Sequence, residues 1–163
     1  MLNITSIIGT RPEIIRLSRI LPKLDECCNH TIIHTGQNWD TRLNDVFFNE
    51  MKLRQPDCFL GNRSSTFGEQ IGLMFQKLEN MFLNNRPDKV LILGDTNSGL
   101  CSIVCERMGV PVYHLEAGNR CFDQRVPEEL NRKVLDHLSD INLVLSEHAR
   151  RPSRPMHGMP GAL

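Results

Sequence analysis

The sequence predicts an open, doubly wound α/β sheet built from parallel strands. Short apolar, β-branched runs alternate with amphipathic helical stretches along most of the chain. One of these runs, Lys89–Gly94, is apolar almost throughout, the pattern of a strand covered by helices on both faces. Polar clusters fall at or just after the ends of the strands, where open parallel sheets place their ligand crevice.

The elements follow in order. Residues 2–8, LNITSII, read as a strand that ends at Gly9. An apolar-periodic stretch with Ile14, Ile15, Leu17, Ile20 and Leu21 then predicts a helix with Pro12 at its first position, where the missing N–H is no loss. His30–Thr35 is a second strand, and residues 41–52 form a helix that buries Leu43, Val46, Phe47 and Met51. Thr66 and Glu69 have capping-box spacing and open a long helix carrying Ile71, Met74, Phe75, Leu78, Met81 and Phe82 on one side. After Lys89–Gly94 come a helix from Thr96 to about Arg107, a strand at Pro111–Leu115, a helix at Glu128–Leu138 and a last strand at Ile141–Leu145. This alternation specifies right-handed crossovers and one sheet.

Composition narrows the function. The 163 residues are 40% hydrophobic, which suits one globular core. Nineteen Lys plus Arg balance nineteen Asp plus Glu, so no overall field favours nucleic acid or an anionic membrane surface. No apolar run approaches the roughly 18 residues that a membrane span needs, and Arg11, Glu13 and Arg16 stand where a signal peptide is apolar. A cytoplasmic protein is expected. The six cysteines form no paired CxxC motif. Cys101 and Cys105, one helical turn apart, read as small residues on a buried helix face rather than as metal ligands.

Five polar clusters carry the candidate chemistry: GTRPE, HTGQN, GDTNS, HLEAGNR and SEH. Gly9-Thr10-Arg11-Pro12 offers backbone N–H groups, a helix start and an Arg side chain, the parts of a phosphate site. It reads equally as an ordinary strand-to-helix turn with a surface Arg. Arg16, one turn on, reaches the same place or is a solvated helix charge. Asp95, Glu116, Glu128 and Glu129 are candidate acid–base groups delivered to one edge. Singly each has a plainer reading: Asp95 as a helix cap, Glu116 as a partner of Arg120, Glu128 and Glu129 as first-turn acids. His34 and His114 stand at strand ends as ligand contacts, whereas His137 is a packed or solvated helix residue. No histidine–carboxylate spacing suggests zinc, and no GxSxG elbow suggests a serine nucleophile.

The motifs GTRPEIIR at 9–16, HTGQN at 34–38, LGDTNS at 93–98, HLEAGNR at 114–120 and PEELNRKVLDHLSD at 127–140 resemble the non-hydrolysing UDP-N-acetylglucosamine 2-epimerase family, in register along residues 3–150. The resemblance implies the Rossmann-like amino-terminal domain of a GT-B-like two-domain architecture, with the active site between the domains. It implies inversion at carbon 2 of a UDP-N-acetylhexosamine substrate by loss and re-addition of UDP, with no cofactor. Asp95, Glu116 and Glu128 then correspond to the catalytic acids. Arg11, Arg16, His34, Gln37, Thr96 and Arg120 are expected to bind substrate, with Arg16 where the broad family usually has Lys. HLEAGNRCFD, with PEELNR soon after and SEHARR, is closer to the branch forming UDP-N-acetyl-L-fucosamine for capsule or O-antigen.

The chain departs from that family at its end. Residues 151–163, RPSRPMHGMPGAL, contain three prolines and two glycines without period, and are expected to be an irregular tail where relatives continue into a second domain. Residues 1–150 are the expected domain. The resulting expectation is a folded chain that is inactive alone and exposes apolar surface suited to a homodimer. Two other classes remain open: a non-catalytic remnant or interaction module, and the amino-terminal domain of a GT-B glycosyltransferase, against which the linked EAG and PEE carboxylates argue.

Overall fold

The computed structural model describes residues 1–37, 41–61 and 64–151. The expected tail at 152–163 and Asn38 of the HTGQN motif lie outside the described residues. Six strands form one parallel sheet in the order β3-β2-β1-β4-β5-β6. They are β1 (Asn3–Ile8), β2 (Asn29–His34), β3 (Cys58–Phe59), β4 (Lys89–Leu93), β5 (Val112–Leu115) and β6 (Ile141–Leu143). All six therefore present their carboxyl ends on one edge. The chain builds outward from β1 in one direction and then crosses to β4 and builds in the other, so β1 and β4 flank the switch point where such sheets open a crevice.

Helices cover both faces because consecutive strand residues point in opposite directions. Ile8 joins Ile14, Leu17, Leu21, Ile32 and Phe48 beneath α1 (Arg11–Leu17), α2 (Leu21–Cys27) and α3 (Thr41–Glu50). Ile7 joins Met74, Leu78, Ile92, Cys101 and Leu135 beneath α4 (Phe67–Asn84), α5 (Cys101–Arg107) and α6 (Pro127–Leu138). Each fully buried side chain of this size contributes roughly 1.5–3 kcal/mol relative to exposure. Cys101 and Cys105 are packed in the second core, and burial raises both thiol pKa values above their ordinary range, Cys105 to about 12. No helix among the described residues is long and apolar enough to cross a membrane.

The structure corrects several boundaries. The helical stretch after β1 is two helices, because Pro22 has no N–H to donate to Ser18 and its ring would crowd that carbonyl. Residues Asn97–Leu100 form a 3₁₀ turn ahead of α5 rather than the first turn of one long helix. The last strand stops at Leu143, two residues short of the expected end. Two elements are additional: the two-residue β3, and a one-turn α7 (Glu147–Arg150) capped by Ser146. Thr66 does accept the Glu69 N–H at 3.3 Å, as its spacing predicted.

The turn after β1 has no room for a side chain. A Cβ on Gly9 would lie 2.1 Å from Ser98 Oγ and 2.3 Å from Thr35 Oγ1. Those two hydroxyls share a hydrogen bond of 2.8 Å and join the β2 and β4 loops across the end of β1. Gly9→Ala should therefore lower stability by about 1–3 kcal/mol, the scale of overpacking a closed site. Gly72→Ala, in α4 with open space at its Cβ, should raise it by roughly 0.5–1 kcal/mol. Urea unfolding of both variants checks the pair. A Gly9→Ala midpoint at or above that of the parent chain would mean the loops do not close on this residue.

Candidate functional site

The loops that follow β1, β4 and β5 enclose a cavity of about 330 Å³. It is lined by Thr10, Pro12, Glu13 and Arg16 from the first loop and helix, Gly94, Asp95 and Thr96 after β4, Glu116 and Asn119 after β5, and Arg132 from α6. The topology thus gathers four of the residues expected at the site, Arg16, Asp95, Thr96 and Glu116. A smaller cavity of about 220 Å³ opens at the amino ends of β1 and β2, away from all of them.

Glu13 holds the centre. Its buried carboxylate accepts the Gly9 and Thr10 N–H groups at 2.6 Å each and the Thr10 hydroxyl at 3.1 Å. Thr96, after β4, donates its hydroxyl to the other oxygen at 2.7 Å. Burial pushes the Glu13 carboxyl upward in pKa, and these hydrogen bonds oppose the shift. This corrects the expected phosphate cradle: the Gly9 and Thr10 N–H groups are already spoken for by an internal carboxylate. The cationic groups that line the cavity are the side chains of Arg16 and Arg132.

Both candidate carboxylates in the cavity face a guanidinium. Arg16 Nη1 lies 2.5 Å from Glu116 Oε2, and Arg132 Nη2 pairs with Asp95 Oδ2. The first pair is asymmetric, with the Arg16 side chain 55% exposed and that of Glu116 14%. Asp95 is held by an ion pair rather than serving as a helix cap, and Asn131 steadies its loop by donating to the Asp95 carbonyl at 3.0 Å. Glu116 pairs with Arg16 and not with Arg120. It also sits at φ 66°, a left-handed conformation that costs a non-glycine residue about 1–2 kcal/mol.

The other expected residues are placed differently. Glu128 is exposed in the first turn of α6, whereas Glu129 is buried. The Cys121 N–H and Arg132 donate to Glu129 at 3.0 and 3.3 Å and hold its carboxyl below the usual range. Arg11 lies with its guanidinium 5.9 Å from the Phe47 ring, outside the cavity lining. Gln37 accepts a 3.4 Å contact from Ser98. Arg120 turns inward to Asp136 at 2.6 Å. Burial would raise the Asp136 carboxyl, but His114, Arg120 and the Gly118 N–H outweigh it and hold it low.

His34 corrects the expectation of a ligand contact. It is fully buried, stacked on Phe59 with centroids 4.7 Å apart, and its Nδ1 accepts the Gly36 N–H at 3.0 Å. It packs the β2–β3 edge. Sequence reasoning missed Glu13, Arg132, Asn119, Asn131 and Asp136. Glu13 alone carried a local signal, since it stands three residues after Thr10 with the same capping spacing as Thr66 and Glu69.

The profile described as UDP-N-acetylglucosamine 2-epimerase matches residues 23–155. The chain belongs to the UDP-N-acetylglucosamine 2-epimerase family. It is 39% identical over 151 residues to the enzyme of that name from Methanocaldococcus jannaschii, covering 91% of this chain and 41% of that one. It is 37% identical over 143 residues to the UDP-2,3-diacetamido-2,3-dideoxy-D-glucuronate 2-epimerase of Pseudomonas aeruginosa, covering 86% and 40%. Among solved structures, the UDP-N-acetylglucosamine 2-epimerase of Rickettsia bellii matches with TM-score 0.87 and 48% identity over 94% of this chain and 41% of that one. The M. jannaschii enzyme in complex with UDP-GlcNAc and UDP matches with TM-score 0.88 and 39% identity over 92% and 42%. This chain spans about two fifths of the length of these relatives and corresponds to the amino-terminal part of a GT-B-like architecture.

Burial of His34 has a pH signature. Its folded pKa is lowered from 6.5 to about 4 by burial, so between those values the unfolded chain binds a proton that the folded chain does not. Its stability contribution is therefore complete above about pH 6.5 and is lost as pH falls toward 4. His34→Asn keeps an acceptor for the Gly36 N–H but cannot titrate. Urea melts at pH 7 and pH 4.5 should show the parent chain losing up to about 3 kcal/mol more than the variant. Equal losses in the two proteins would contradict a neutral, buried His34.

Proposed function

We propose that this chain supplies the acid–base wall of a UDP-N-acetylhexosamine 2-epimerase. The reading is carried by one observation: the cavity at the β1/β4 switch point holds Asp95 and Glu116 side by side with Arg16 and Arg132. Inverting a carbon that bears an acetamido group needs a base on one face and an acid on the other. A diphosphate leaving group needs cationic, fork-shaped donors. The cavity has both sets.

In this reading a carboxylate removes the proton from carbon 2 as the bond between carbon 1 and the UDP oxygen breaks. UDP then re-adds at carbon 1, and a proton is delivered to the opposite face of carbon 2. Asp95, Glu116 and Glu128 do the proton and leaving-group work, and Arg16 and Arg11 attract the diphosphate. The sugar class is a UDP-linked 2-acetamido hexose used as a precursor of cell-surface polysaccharide, and the EAGNR motif favours the fucosamine-forming branch. The remaining walls of the site belong to the longer chain that relatives possess. On its own this chain binds UDP weakly and does not turn over.

The test is incorporation of solvent deuterium at carbon 2, followed by mass spectrometry. UDP-N-acetylglucosamine and its 6-deoxy-L-talo counterpart are incubated in deuterated water with this chain alone and with this chain joined to the carboxy-terminal part of the M. jannaschii relative. Exchange is expected only for the joined protein, and exchange by the chain alone above the enzyme-free control would overturn the claim of inactivity. In the joined protein, Asp95→Asn and Glu128→Gln should each lower turnover by roughly a hundredfold, the scale of lost acid–base catalysis, with little change in melting temperature. Activity lost only in proportion to folding would make these carboxylates structural.

A further inference from the structure

Glu116 is held in a costly backbone conformation, and something must hold it there. The strand ladder supplies part of the restraint: the Gly94 N–H donates to the Leu115 carbonyl at 3.0 Å, and the Ala117 N–H reaches the Leu143 carbonyl at 3.3 Å. The rest comes from two buried side chains outside the cavity lining. His114, fully buried on β5, contacts the Gly94 carbonyl through Nε2 at 2.8 Å. That carbonyl immediately precedes Asp95. On its other side the same ring places Nδ1 2.9 Å from Asp136 Oδ1, off the line of a well-formed hydrogen bond. Asp136, buried on α6, takes the Gly118 N–H on both oxygens at 3.1 and 3.0 Å, and Arg120 at 2.6 Å. Gly118 is two residues beyond Glu116.

We propose that His114 and Asp136 are positioning residues that tie the loop carrying Glu116 to the loop carrying Asp95 and so fix the separation of the two carboxylates. One imidazole bridges the backbone before Asp95 and the side chain that grips the backbone after Glu116. Neither His114 nor Asp136 touches the cavity, so neither is a catalytic residue. Their effect is on geometry, where a displacement of about 1 Å costs on the order of a hundredfold in rate. Arg120 belongs to the same device: it charges and orients Asp136 from the loop and does not reach toward the sugar.

The inference rests on the epimerase reading of Asp95 and Glu116, and its test has two arms. The first uses this chain alone and amide hydrogen exchange by NMR. Asp136→Asn, close in shape to the parent, should speed exchange at Gly118 by more than tenfold and leave Ile7 and Ile92 at the sheet centre unchanged. Equal acceleration at all three sites, or none at Gly118, overturns the proposal. The second arm uses the protein joined to the carboxy-terminal part of the M. jannaschii relative. His114→Asn and Asp136→Asn should each lower kcat roughly tenfold to a hundredfold with KM within about threefold. In a Glu116→Gln background the same changes should cost little more, because residues that act through one group are not additive. Additive losses, or a rise in KM with kcat kept, overturn it. If the joined protein shows no epimerisation at all, the functional reading fails while the exchange arm still decides whether the pair positions the loop.

Discussion

The carboxylate of Glu13 is the contact on which the arrangement of the cavity depends. It is buried with no cation paired to it among the described residues, a costly state for an ionised group unless hydrogen bonds replace its water. The Gly9 and Thr10 N–H groups and the Thr10 and Thr96 hydroxyls supply that replacement. These donors belong to two loops, one after β1 and one after β4, so satisfying one carboxylate fixes both sides of the switch point together. Gly9 makes this possible. With the Ser98 and Thr35 hydroxyls packed where a Cβ would stand, only glycine lets the β1 turn come close enough for the Glu13 oxygen to receive two successive N–H groups.

The sheet was legible because its signals are local. Lys89–Leu93 declares a strand covered on both faces, and the helical periods of α4 and α6 run long enough to stand out. The two-residue β3 has no period to detect, and α7 is a single turn fixed by one serine cap. The split between α1 and α2 was written in Pro22, which a count of apolar positions passes over. In the site, residue type and edge were readable from strand ends, but pairing was not. Arg16 and Glu116 are one hundred residues apart in sequence, and only the strand order brings them together. His34 illustrates the opposite error: a polar residue at a strand end faces inward here because its ring completes the packing around Phe59.

The β5 turn carries backbone strain. Glycine already stands in left-handed conformations at Gly94 and Gly118, on either side of the site, yet position 116 keeps a glutamate at φ 66°. A glutamate in that conformation is a local cost that the surrounding structure must offset. Its ion pair does not repay the strain. The Arg16 side chain is more than half exposed, and pairs of that kind contribute about 0–1 kcal/mol. The network beneath, from the Gly94 carbonyl through His114 to Asp136 and Gly118, is where the strain is offset.

The two ion pairs also bear on how the cavity would respond to an anionic ligand. Arg16 and Arg132 are its cations, and both are already engaged, by Glu116 and by Asp95. A diphosphate, like a carboxylate, presents paired oxygens that can accept two guanidinium N–H groups, so it competes for the same guanidinium donors. Arg16 is the better placed of the two to make the exchange, because Arg132 is also held by Glu129 at 3.3 Å and keeps a second partner inside α6, whereas Arg16 projects from the surface of α1 with Glu116 as its contact.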